Sequence, residues 1–191
     1  MSVALEVDYD PDVWIEVDQE AELDEWAVQT ARQCYEDSSV EPSDRQLTVL
    51  ATQLREFVSQ LQDSGGYGMA LLHLRYPEEG PLTAALISAT DAGDGSEASL
   101  RAAAGADDPG LIEPPDVQWI ETPLGVAMRV WRYVAHPEHG RSGVYAALTY
   151  VWHLPQQDTD LRLTTSSFDL GELTLAAADI DNLARGVTLV S

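Results

Sequence analysis

The hydrophobic period changes twice along this chain, and those two changes do most to limit its fold. Between Leu23 and Leu61 apolar residues recur every three or four positions, the spacing of a helix stripe. From Tyr67 to Asp169 the recurrence drops to every second residue, broken by clusters of Gly, Pro and Asp, as in strands joined by turns. From Leu173 to Val187 it returns to helical spacing. Helices at both ends of a strand block predict an α+β protein, with one large, mostly antiparallel β-sheet covered by the N-terminal and C-terminal helices. At 191 residues the chain suits one domain, taken as 1–191, with no internal repeat or linker.

Local signals sharpen this outline. Val3, Leu5, Val7 and Tyr9, then Val13, Ile15 and Val17, alternate with acidic residues around Asp10-Pro11-Asp12, which reads as two strands in a hairpin. Leu23, Trp26, Ala27, Ala31, Cys34 and Tyr35 mark a first helix, with Cys34 on its apolar stripe. Ser43 and Gln46 match a capping box for a second helix, whose stripe runs through Leu47, Leu50, Leu54, Val58 and Leu61 to Gly65-Gly66. Strands are expected near 67–76, 82–90, 97–104, 117–122, 125–135, 144–154 and 161–168. Asp169 and Glu172 can cap the last helix, which buries Leu173, Ala177, Ile180, Ala184 and Val187.

Charge narrows the classes of function. Asp and Glu number 33 against 10 basic residues, all of them Arg, for a net charge of -23. Such a surface repels phosphate backbones and anionic headgroups, so nucleic acid and membrane surfaces are not expected partners, whereas a basic protein is. Hydrophobic residues at 45% are too many for a disordered acidic tail. Ten acids fall within the first 25 residues, but alternation places many of them on a wet strand face. The opening MSVALEVDYD lacks a basic and an apolar leader region, so a cytoplasmic location is expected. The absence of Lys removes Schiff-base chemistry and a phosphate-loop lysine. No cofactor is expected.

The stretches EPPDVQWIETPLGVAMRVWRYV (113–134) and YAALTYVWHLPQQDTDLRLTTSSFDLGELTLAAADIDNLARGV (145–187) resemble a family of acidic actinobacterial proteins. That family has a PsbP-like α/β/α sandwich outline, so the resemblance implies the same layered fold. It brings no catalytic residues with it.

Three groups of residues bear on chemistry. His136, Glu138 and His139 are the one His and carboxylate cluster and could ligate a metal, although Pro137 and the missing HExxH spacing favour a hairpin loop. Asp91, Asp94 and Glu97 fall short of a calcium loop because Gly93 and Gly95 occupy ligand positions. The strand aromatics Trp119, Trp131, Tyr133, Tyr145, Tyr150 and Trp152, with Arg129, Arg132, His73 and His153, could line a pocket or pack between layers. Of these His73, Arg132, Trp131, Tyr133, Trp152 and His153 are the candidate ligand-binding set. No convergent catalytic set is visible, so the leading expectation is a non-enzymatic interaction or accessory protein. The alternative is a ligand-binding or hydrolytic protein with a pocket between sheet and helix.

Overall fold

A computed structural model describes residues 4–38, 40–64, 67–138 and 141–190, with side chains omitted at 63, 64, 136–138, 141 and 142. Two short strands, β1 (Leu5–Val7) and β2 (Trp14–Glu16), precede helices α1 (Leu23–Asp37) and α2 (Asp44–Ser64). Strands β3 (Met69–His73) and β4 (Thr83–Asp91) lead to α3 (Glu97–Ala103). Then come β5 (Asp116–Thr122), β6 (Gly125–Glu138), β7 (Arg141–Leu154) and β8 (Thr159–Ser167). Helix α4 (Leu170–Gly186) and β9 (Val187–Leu189) close the series.

Seven strands form one sheet in the order β2-β3-β4-β8-β7-β6-β5, and every pairing is antiparallel. Strands β5 to β8 are a meander, while β4 lies beside β8 rather than β5. The α+β class and the covered antiparallel sheet of the sequence reading hold. Its N-terminal hairpin does not: β1 pairs with β9 (Leu5 opposite Leu189), whereas β2 pairs with β3 (Trp14 opposite His73). Alternation identifies a strand but not its partner. The expected strand at 97–104 is also wrong, because those residues form α3. Ser96 accepts from the Ser99 N–H as an N-cap, and the alanines that follow favour helix.

The other caps follow the sequence. Ser43 and Gln46 close the box reciprocally, the Ser43 N–H donating to Oε1 at 3.0 Å and the Gln46 N–H to Oγ at 3.3 Å. Asp169 Oδ1 accepts from the N–H groups of Gly171 and Glu172 at the start of α4. Gly65-Gly66 lies outside the described residues.

The two faces of the sheet are covered differently. On one face α4 lays Leu173, Ala176, Ile180, Leu183 and Ala184 onto Leu71, Ile87, Leu148, Tyr150, Leu161 and Leu163 in one continuous core. On the other, α1 and α2 cover Ala70, Leu72 and Ala84, and α3 separately covers Met128, Val130 and Val151. Between those two clusters lies β8, the central strand. Its side chains on that face are Asp160, Arg162, Thr164 and Ser166, none of them apolar. The sheet is thus closed on one face and furrowed along its middle on the other.

Among the described residues no helix is long and apolar enough to cross a membrane.

Candidate functional site

Register builds the floor of the furrow. On β8, Leu161, Leu163 and Thr165 turn to the closed core and are buried, so Arg162 and Ser166 point the other way and are exposed, with Thr164 half-buried between them. Opposite them on β7 stand Ala147 across from Ser166, Thr149 across from Thr164, and Val151 across from Arg162. Arg132 enters the same face from β6, where it pairs with Ala147. At one end the furrow deepens into a cavity of about 700 Å³, a size common for small-molecule sites. Phe57 and Gln60 of α2 wall it, Arg132, Ala147 and Thr164 floor it, and Tyr145, Phe168 and Glu172 stand at its mouth.

The electrostatics of this cavity differ from those of the remaining surface. The Arg132 guanidinium donates through Nη1 to the carbonyl of Ala104 just beyond the C-terminus of α3, and to Thr149 Oγ1 at 2.9 Å. Its Nε is buried without a hydrogen-bond partner. Gly105, with φ of +70°, presses against the guanidinium so closely that a Cβ there would meet Cζ at 2.9 Å. Burial holds Arg132 below its ordinary value; Tyr145 and Asp108 oppose this, and the like charge of Arg162 adds to the lowering. Arg162 itself has no hydrogen bond or ion pair among the described residues. Arg162 lies on the same face farther along β8, two positions before Thr164, and outside the residues that line the cavity.

Several other arginines meet carboxylates. Arg75 meets Asp179 at 2.9 Å, Arg101 meets Asp107 at 2.9 Å and Arg129 meets Asp181 at 2.9 Å. A groove of about 370 Å³ between α1 and α2 holds Arg32 and Arg55 together with Asp24 and Asp44, and Arg55 lies 3.6 Å from Asp24.

The candidate ligand-binding set does not converge. His73, Trp131, Tyr133 and Trp152 turn to the closed face, Arg132 and His153 to the furrowed one, because neighbours in a strand alternate. His73 is 1% exposed; its Nε2 lies 2.8 Å from Asp179 Oδ2, and its ring meets Trp14 edge-on. Trp152 is buried under α4, stacked on Tyr150, with its indole N–H donating to Thr122. Trp131 and Tyr133 pack edge to face against the same core. These four are packing and anchoring groups. Arg132 alone of the set lines the cavity.

His153 sits at the other end of the furrow. Its Nδ1 lies 2.7 Å from Asp160 Oδ1, and Asp160 Oδ2 accepts from the Gly93 N–H at 2.8 Å. The pair clips the loop after β4 to the sheet. Gly95, with φ of +68°, leaves room for the imidazole, since a Cβ there would come within 2.6 Å of it.

The remaining sequence candidates resolve as follows. His136 and Glu138 belong to β6, paired with Gly143 and Arg141, so the tract is strand where a loop was expected. His139 lies outside the described residues, and no group of three metal-ligating side chains occurs among the described ones. Asp94 Oδ1 accepts from the Ser96 N–H and hydroxyl, a turn before α3 rather than a calcium loop. Burial and the neighbouring Asp37 push the Cys34 thiol up to about 11, which leaves it protonated at neutral pH.

Sequence reasoning missed Arg162, Phe57, Thr164 and Glu172. Arg162 was the findable one, a lone cation in LRLTT at the middle of a strand whose alternate residues are buried. The others come together only through the β4–β8 crossover. Comparison with known protein families and with curated proteins finds no match to this chain.

Proposed function

We propose that this protein binds a small molecule bearing a carboxylate or phosphate, in the cavity over β8, and that it acts as a binding protein rather than an enzyme. The observation that carries this reading is Arg132, a half-buried guanidinium that lines the cavity with its Nε lacking a hydrogen-bond partner. A bound anion forms with it the charge-assisted hydrogen bonds Arg is shaped for. Arg132 is held in place by Ala104 and Thr149, so little side-chain entropy is lost when a ligand arrives.

The leading alternative, docking of a basic protein on the acidic surface, has less geometric support. The N-terminal carboxylates serve local backbone: Asp10 accepts from the Asp12 N–H, Asp18 from Glu20 and Ala21, and Glu22 caps α1.

Thermal unfolding in the presence of small carboxylates, phosphates and amino acids tests the reading. A ligand at a hundredfold excess over Kd stabilises by about 2.7 kcal/mol, or roughly 5–10 °C for a chain of this size. Arg132→Gln should weaken that ligand at least about tenfold, the scale of one charge-assisted contact. Were no anion to raise Tm, or were the variant to respond like the wild type, the reading would fall.

A further inference from the structure

The cavity that holds Arg132 also holds a carboxylate it does not touch. Glu172, in the first turn of α4, is half-buried at the mouth, and burial together with Asp169 pushes its carboxyl up, opposed by a hydrogen bond with Ser167. Asp169 is committed to capping α4. Arg132 rises from β6, whereas Glu172 stands on α4 beyond the end of β8, two strands away in the sheet. No ion pair joins them among the described residues. The cavity therefore presents a cationic and an anionic group from different sides, neither neutralised by the other.

Its wall is aromatic. Phe57 contributes from α2, and Tyr145 and Phe168 meet edge to face at 5.8 Å. Phe168 is 64% exposed beside the cavity. Such a ring is left partly wet in the free protein and gains by being covered.

We infer that the ligand is an aromatic zwitterion of amino-acid or dipeptide length. Its carboxylate meets Arg132, its ammonium meets Glu172, and its ring packs on Tyr145 and Phe168. This rests on the preceding reading of the cavity as an anion-binding site and adds the ammonium and the ring. A simple anion would satisfy Arg132 and leave Glu172 facing a negative ligand, whereas a zwitterion satisfies both ends.

Matched pairs of probes decide it, with calorimetry on the wild-type protein. L-phenylalanine and glycyl-L-phenylalanine are compared with their N-acetyl derivatives, which keep carboxylate and ring but lack the ammonium. At least one free amine should bind about tenfold or more tightly than its acetylated partner, and Glu172→Gln should erase that preference without loss of the acetylated compound. Equal or tighter binding of the acetylated compounds would overturn the zwitterion while leaving the anion site standing. Failure of all four to bind at about 10 mM would overturn the inference as well. A preference that survives Glu172→Gln would refute the assignment of Glu172.

Discussion

The two faces of the central strand have opposite characters over the same residues. Leu161, Leu163 and Thr165 turn one way into a continuous core under α4; Arg162, Thr164 and Ser166 turn the other way into a furrow. One face is built from apolar area with a few polar anchors such as His73 and Asp179, and the other leaves polar groups beside an opening. On the proposed reading, stability and recognition fall on opposite sides of one backbone, at alternate positions. Substitutions a single residue apart should then have very different consequences.

The largest effect is expected on the closed face. Leu163→Ala should cost about 2–5 kcal/mol in chemical denaturation, because α4 cannot collapse into the space left. A loss below about 1 kcal/mol would refute the division of labour between the faces.

Next comes Asp179, which ties α4 to the same face. Burial alone would raise its carboxyl, but hydrogen bonds from His73 and Arg75 outweigh that and hold it below the ordinary range. Asp179→Asn should cost about 2–3 kcal/mol at neutral pH. A carboxylate with a depressed folded value contributes above its unfolded value of about 3.9 and loses that contribution as pH falls through the folded one. Wild-type and variant stabilities should therefore converge at acid pH. Parallel curves would exclude this linkage.

On the furrowed face Arg162→Gln, at an exposed position, should leave stability within about 0.5 kcal/mol of the wild type in the same denaturation measurement. The smallest effect concerns Cys34, between α1 and its neighbours. Iodoacetamide at pH 7.5 should label it slowly in the native protein and fast in denaturant, since its thiol is pushed up to about 11. Equal rates would show it to be open.

Much of the fold was legible because it rests on periodicity. The stripe Leu50, Leu54, Val58 sits at 0% exposure, and β4 to β8 fall close to where alternation placed them. What escaped was pairing: β1 joins β9 at the far end of the chain, and β4 joins β8 across α3 and three intervening strands. The residues at 97–104 escaped for a different reason, an alanine-rich segment short enough for either period to fit. The cavity was the least legible part. Alternation separates Arg132 from Trp131 and Tyr133, its sequence neighbours, and the crossover brings it near Phe57 and Glu172 instead.

That crossover also fixes an order in time. Ala85 pairs with Thr165 about eighty residues away, whereas β6 and β7 meet across a short turn. Closing the longer loop costs about 3 kcal/mol more in chain entropy, so the β5–β8 meander is expected to assemble before β4 joins it. Folding-rate analysis of Ile87→Val and Leu148→Ala would show this as a lower φ-value at Ile87. The furrow lies beside that late seam, so a nascent or partly unfolded chain can hold a native-like meander before the proposed site is complete.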